Sequence, residues 1–300
     1  MRSKFWIVAV VALFLSMLGV GYFLRSGVSA PALESAPVSI APVPVPEPVP
    51  AHEVIGASVQ GRPIDAYRYG DGMTHLLFVG GVHGGYEWNS VALAYAFMDY
   101  LDANPSVIPA GITVSVIPSL NPDGVYKVIG KDGRFAIEDV PMETDHSPGR
   151  FNAHDVDLNR NFDCKWKPES MWRSKVVSAG TEPFSEPEAA ALRDFVAKEK
   201  PDAVIFWHSK ANSVYASECE GGILPATLGM MNAYANASGY TPVRTFDSYA
   251  VSGDAEGWLA SIGIPAITVE LKTHEAIEWD KNLAGVKALF ELYTKEEVPL

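Results

Sequence analysis

The sequence predicts a single α/β domain with a mostly parallel, mixed central sheet flanked by helices, preceded by an N-terminal transmembrane helix and a Pro-rich linker. Two observations lead to this fold class. Short apolar runs of strand length recur along the chain, and segments with helical periodicity separate them. Strands that alternate with helices form parallel sheets, and the ligand crevice of such sheets lies at the carboxyl ends of the strands.

Residues 1–25 form the predicted membrane segment. Arg2 and Lys4 precede an uncharged, mostly apolar run over residues 5–24, which has the length that spans a bilayer. Basic residues ahead of such a run stay in the cytoplasm, so we expect a membrane-anchored domain outside it, in the periplasm or at the cell surface. The alternative is a signal peptide cleaved near the small residues 28–30, which predicts a secreted protein.

Residues 26–51 form the predicted linker. Its stretch "APVPVPEPVP" alternates Pro with other residues, and this pattern favours an extended rod of roughly 3 Å per residue. The domain itself is expected over residues 52–300. The chain has a formal net charge of −13, which disfavours nucleic acid as a partner because phosphate binding needs clustered Lys and Arg.

The elements of the domain follow from periodicity. The stretch "VIGASVQGRPIDAYRYG" predicts a β-hairpin. Buried strands are predicted at His75–Val79, Ile112–Ile117, Ala203–Trp207 and Ala266–Leu271, and helices at Trp88–Leu101, Ser185–Lys200 and Glu278–Lys295. For the second helix, Ser185 and Glu188 have the spacing of a capping box.

Three candidate metal ligands follow predicted strands. His83 and Glu87 lie in the Gly-rich turn "GGVHGGYEWN", and His208 comes directly after a strand in "AVIFWHSK". Two imidazoles and one carboxylate make a three-ligand zinc site whose fourth position is open to water, which is the catalytic arrangement. Taken singly, each His also fits a polar residue at the rim of a sheet.

Further segments carry a family resemblance. The stretches "NPDG", "VDLNRNFD", "FSEPE", "SYAVSGDAEGW" and "AITVELKTH" occur in the order found in zinc metallocarboxypeptidases of the carboxypeptidase A type, which the chain resembles from about Ile55 to Phe290. The resemblance implies one Zn²⁺ per chain, held by His83, Glu87 and His208. Asp157 would orient His83 from behind. Most of that family reads H-x-x-E, whereas this chain reads H-x-x-x-E, with glycines that can absorb the additional residue.

The resemblance also implies the roles of five residues around the metal. Asn159 and Arg160 would hold the free α-carboxylate of a peptide C-terminus. Arg150 would stabilise the developing oxyanion, and Tyr249 would close over the bound terminus. Glu270 would be the general base, which accepts a proton from water acidified by zinc and delivers it to the leaving amine.

Two acidic residues fall at the family's side-chain specificity positions. A carboxylate of Asp254 or Glu256 that points into the pocket predicts a preference for C-terminal Lys, Arg or diaminopimelate. The alternative is that Asp254 is the N-cap of the helix containing Trp258.

The two cysteines, Cys164 and Cys219, are expected on loops around the same crevice. Outside the cytoplasm they can form a disulfide that braces both loops, and two separate buried thiols are the alternative.

The predicted function is that of a zinc metallocarboxypeptidase acting on peptides, including peptidoglycan stem peptides. One alternative is an amide hydrolase of the same fold, either a deacylase or a cell-wall amidase or endopeptidase. Another is a non-catalytic anchored module that binds peptide termini. A Ser hydrolase is disfavoured because the sequence has no G-x-S-x-G turn.

Overall fold

The computed structural model describes residues 51–141 and 143–295. The strands are β1 (Ala51–Ala57), β2 (Pro63–Tyr69), β3 (Thr74–Val79), β4 (Ile112–Ile117), β5 (Glu169–Trp172), β6 (Lys175–Ser178), β7 (Ala203–Ser209), β8 (Ser213–Ala216), β9 (Thr241–Val243) and β10 (Ala266–Leu271). The α-helices are α1 (Trp88–Ala103), α2 (Pro122–Ile129), α3 (Pro187–Glu199), α4 (Pro225–Ser238), α5 (Ala255–Ser261) and α6 (Trp279–Lys295).

Eight strands form one mixed sheet in the order β1-β2-β4-β3-β7-β10-β8-β9. Its four central strands, β4, β3, β7 and β10, run parallel, whereas β1 pairs with β2, β2 with β4, and β8 with β10 in antiparallel fashion. The carboxyl ends of the central strands therefore meet at one edge of the sheet, where binding sites of α/β folds are built.

Helices cover both faces of this sheet. On one face, α1, α4 and α6 pack side chains such as Phe97, Tyr234 and Leu289 against the strands. On the other face, α3 and α5 contribute Leu192 and Leu259. Because the central strands are buried on both sides, they have nearly continuous apolar sequences rather than alternating ones. The structure thus confirms the predicted α/β domain with a mixed central sheet.

Several predicted boundaries differ from the structure by one or two residues, and two of these differences concern residues that were given a role. Helix α3 begins at Pro187 rather than Ser185, and no capping box forms because Ser185 donates to Glu186 while Glu188 accepts from the backbone N–H of Val59. The residue before a proline is kept extended, so Glu186 cannot be helical and the helix begins at Pro187. His208 lies within β7 rather than after it, because β10 continues to pair with that strand as far as Ser209.

The predicted membrane segment and linker lie outside the described residues, except for Ala51, which begins β1. Within residues 51–141 and 143–295, no helix combines the length and the apolar character needed to cross a bilayer.

Candidate active site

The turn after β3 places the first two candidate ligands. A 3-10 turn, Gly84–Glu87, leads directly into α1. Gly84 has a φ of +46°, and a Cβ at this position would lie 2.7 Å from the carbonyl oxygen of Gly149, so a side chain does not fit. This tight turn brings Nδ1 of His83 to 2.8 Å from Oε1 of Glu87, and thereby accommodates the H-x-x-x-E spacing.

Strand β7 supplies the third ligand. Nδ1 of His208 lies 2.9 Å from Oε2 of Glu87 and 3.2 Å from Nδ1 of His83. The three side chains are buried, and their ligand atoms lie within 4.8 Å of one another. The structure therefore brings together the three residues that the sequence predicted as metal ligands.

The donor set of these three residues fits a divalent zinc ion. Two imidazole nitrogens and one carboxylate oxygen are typical of catalytic zinc sites. Burial alone would raise the pKa of Glu87, but the imidazoles of His83 and His208 hold it well below its usual value. Conversely, although burial opposes a charged imidazole, Glu87 raises the pKa of His208 to about 10. The cluster thus favours positive charge between its donor atoms, which a divalent cation supplies.

Asp157 lies behind His83. Its Oδ1 is 3.3 Å from Nε2 of His83, and its Oδ2 accepts from Nε and Nη2 of Arg150 at 2.9 and 2.8 Å. Burial alone would raise the pKa of Asp157, but Arg150 and then Arg160 hold it far below its usual value. The ionised carboxylate orients both the imidazole and the guanidinium.

A cleft of about 440 Å³ opens at this edge of the sheet. The metal-ligand triad lines it together with seven other residues that the sequence predicted: Arg150, Asn159, Arg160, Tyr249, Asp254, Glu256 and Glu270. Asp157 stands behind the wall, in contact with two of the lining side chains. The predicted site residues therefore form one constellation.

Glu270 lies near the end of β10, paired in register with His208 of β7. Its Oε2 is shielded from solvent and has no hydrogen-bond partner within the described residues. Burial, followed by the charge of Glu87, raises the pKa of Glu270 to about 8. A divalent cation at the triad favours the ionised form, so Glu270 is placed to exchange a proton with a molecule in the cleft.

Asn159 and Arg160 form another part of the cleft wall. The side-chain oxygen of Asn159 accepts from the backbone N–H of Ala255 at 2.9 Å. The guanidinium of Arg160 is fixed by the carbonyl oxygens of Met171 and Asn159. These contacts use three of its five N–H groups, and the remaining donors suit a carboxylate.

The two acidic specificity candidates have different surroundings. Asp254 is the N-cap of α5, because its Oδ2 accepts from the backbone N–H of Gly257 at 2.8 Å. It is also partly exposed to the cleft, and burial followed by the charge of Glu256 raises the pKa of Asp254 to about 6. Glu256 is buried, and its Oε1 lies 3.3 Å from Nε2 of His208.

Sequence reasoning missed an aromatic wall. Trp172 lies under the guanidinium of Arg150 at 4.7 Å, and Tyr86 packs edge-on against Trp172 at 5.3 Å between ring centroids. The ring of His274 is 4.7 Å from that of Tyr86, and its Nδ1 lies 2.7 Å from Oγ of Ser209. Two of these residues could have been found from the sequence, because Tyr86 lies within the Gly-rich turn and His274 lies just past β10. Trp172 lies on a hairpin that the sequence analysis did not predict.

Two contacts stabilise the loops around the cleft, one a disulfide and the other between aromatic rings. Cys164 and Cys219 form a disulfide with a Cα–Cα distance of 6.0 Å, so the structure has the paired alternative. The ring of Tyr249, which lines the cleft, packs edge-on against that of Phe246 at 4.8 Å between ring centroids.

Comparisons with known proteins agree with this geometry. A family model described as zinc carboxypeptidase matches residues 49–282. The chain belongs to the zinc carboxypeptidase family. The family resemblance drawn from the sequence is thereby confirmed.

Among relatives of this member of the zinc carboxypeptidase family, γ-D-glutamyl-L-diamino acid endopeptidase 1 of Lysinibacillus sphaericus is 28% identical over 72% of the chain and 59% of that protein. Murein peptide amidase A of Escherichia coli K12 is 26% identical over 66% of the chain and 78% of that protein. The chain spans less than two thirds of the length of the first two relatives, 59% and 58%.

Solved structures share the fold. Bovine thrombin-activatable fibrinolysis inhibitor superposes with a TM-score of 0.67 at 20% identity, over 83% of this chain and 91% of that one. Murein-tripeptide amidase of E. coli O157 gives a TM-score of 0.57 at 24% identity, over 80% and 92%.

Proposed function

We propose that this zinc peptidase hydrolyses the C-terminal amide bond of peptides, and that His83, Glu87 and His208 hold its zinc. Bound there, zinc would supply Lewis acidity and lower the pKa of water. Glu270 takes the proton of the attacking water and returns it to the leaving amine. Arg150 donates hydrogen bonds to the oxyanion that develops on the scissile carbonyl.

One observation carries this proposal. One carboxylate oxygen of Glu270 has no hydrogen-bond partner among the described residues, and Glu270 shares a cleft with the metal triad and with the Asn159–Arg160 pair. A base, a metal site and a carboxylate-binding pair within one cleft match the needs of carboxypeptidase chemistry. Tyr249, which also lines the cleft, fits a residue that closes over the bound terminus.

For the substrate, we propose a cell-wall peptide that ends in a diamino acid joined to a γ-D-glutamyl group. Asp254 is partly exposed and lines the cleft, and an acidic residue there favours a substrate side chain with an ammonium. The name of the endopeptidase relative supports this bond, and the name of the amidase relative supports a murein peptide as the substrate.

The test is a set of four synthetic peptides. They are L-Ala-γ-D-Glu-diaminopimelate, its analogues ending in Lys and Phe, and the Lys analogue with its C-terminus amidated. We expect cleavage of the first two with a preference over the Phe peptide, loss of cleavage on amidation, and no turnover by Glu270→Gln. Equal cleavage of the amidated peptide would mean an endopeptidase, and a preference for Phe would refute the acidic pocket.

We also propose that the domain acts outside the cytoplasm, either anchored by residues 5–24 or released by cleavage. The Cys164–Cys219 disulfide supports export, since disulfides persist in oxidising compartments. Cell fractionation should find the full chain in the membrane or in the extracytoplasmic fraction. A matched variant without residues 1–25 should stay in the cytoplasm, and equal distribution of both would contradict the proposal.

A further inference from the structure

Glu256 belongs to the metal site by its contacts. Its Oε1 lies 3.3 Å from Nε2 of His208, the nitrogen that faces away from the triad. That nitrogen is fully buried and has no aligned hydrogen bond within residues 51–141 and 143–295. The carboxylate of Glu256 therefore lies next to the nitrogen of His208 that does not face the metal position.

A second contact fixes the same oxygen of this carboxylate. Thr268, on β10, donates its hydroxyl to Oε1 of Glu256 at 3.0 Å. The Glu256 side chain is 5% exposed. A carboxylate that is held between a hydroxyl and an imidazole, and is almost closed to solvent, is poorly placed to bind the side chain of a substrate. Asp254, which is partly exposed to the cleft, is better placed for that task.

The same arrangement occurs on the other imidazole of the triad. Nε2 of His83 lies 3.3 Å from Oδ1 of Asp157, and both nitrogens that face the metal position are Nδ1. A carboxylate behind a ligating imidazole fixes the tautomer and the ring orientation, and raises the basicity of the ligand. The two histidines therefore have matching carboxylates, Asp157 behind one and Glu256 behind the other.

We propose that Glu256 is a positioning residue that holds His208 for metal binding, rather than a specificity residue. The inference rests on the proposed metal triad and not on the proposed substrate. Loss of the Glu256 carboxylate should weaken zinc binding even when no peptide is present. Loss of the Thr268 hydroxyl should have the same effect to a smaller degree.

The experiment measures the zinc dissociation constant of the purified chain by competition with a chromogenic chelator. We expect Glu256→Ala to raise it by roughly 10- to 100-fold, with partial recovery in Glu256→Gln, which keeps an acceptor oxygen. Thr268→Val should raise it several-fold. The matched control is Asp254→Asn, which keeps the helix cap and should change zinc affinity less than two-fold.

Cobalt substitution supplies a second measurement. The visible absorption of the Co²⁺-loaded protein should change in Glu256→Ala and remain that of the wild type in Asp254→Asn. Zinc affinity within two-fold of the wild type in Glu256→Ala would overturn the inference, as would an equal loss in Asp254→Asn. If Glu256→Ala does not fold, unchanged affinity in both Glu256→Gln and Thr268→Val has the same meaning. Peptide preference enters none of these outcomes, so the inference and the proposed substrate fail independently.

Discussion

Reduction of the Cys164–Cys219 disulfide should destabilise the domain by about 4 kcal/mol. The bond joins residues that are 55 positions apart in the sequence. In the chain-entropy model, a closed loop of this size removes roughly 14 cal/mol/K from the unfolded ensemble, which corresponds to about 4 kcal/mol at 25 °C. Such a loss is a large fraction of the free energy of unfolding of a typical domain, so the effect is well above experimental error.

The assay is urea unfolding of the purified chain with and without reductant. The matched control is the double variant Cys164→Ala/Cys219→Ala, which has no bond to reduce and should unfold at the same urea concentration in both conditions. A shift of less than about 1 kcal/mol in the wild type would refute the estimate. An equal shift in the double variant would show that the reductant acts elsewhere, for instance on the metal.

Three further predictions concern the cleft. Glu270→Gln should lower kcat by roughly 10²- to 10⁴-fold at unchanged zinc content, measured by turnover and metal analysis; wild-type turnover would contradict its role as base. Gly84→Ala should destabilise the domain by about 2 kcal/mol more than Gly130→Ala in urea unfolding, because both glycines have positive φ but only the first is crowded; equal losses would contradict this. Because burial and Glu256 raise the pKa of Asp254 to about 6, its carboxylate becomes neutral as the pH falls through that value. The ratio of kcat/KM for C-terminal Lys over Leu peptides should then fall about ten-fold between pH 8 and 5 in the wild type and stay flat in Asp254→Asn.

The central sheet and the triad could be predicted because their signals are local. Strands buried on both faces have continuous apolar sequences, so Ile112–Ile117 and Ala266–Leu271 were predicted with the boundaries that the structure has. Once the strands are known, the edge at which they end locates His83 and His208 near each other. The ordered motifs then assign roles that periodicity alone does not provide.

Contacts between distant segments could not be predicted in this way. Glu256 and His208 are 48 positions apart in the sequence. Nothing in their local sequences shows that the carboxylate of Glu256, on α5, contacts the imidazole of His208, on β7. Ser185 shows the opposite error, because its local capping pattern is overridden by Pro187 and by contacts with Glu186. A local sequence pattern does not determine the structure where its side chains form hydrogen bonds with other partners in the folded domain.

The charges of the predicted site residues favour a divalent cation and agree with the basic substrate that we propose. The predicted site contributes two arginines and five carboxylates: Arg150, Arg160, Glu87, Asp157, Asp254, Glu256 and Glu270. The cleft is also lined by Glu218 and by three exposed cations, Lys165, Arg173 and Lys210. Burial, and then the neighbouring carboxylates Glu256 and Glu87, raise the pKa values of Asp254 and Glu270. A divalent cation at the triad would offset two of the negative charges of the predicted site. Under the proposed function, we expect the remaining excess of carboxylates at the site to favour a substrate ammonium, so a peptide ending in Glu should bind more weakly than one ending in Lys.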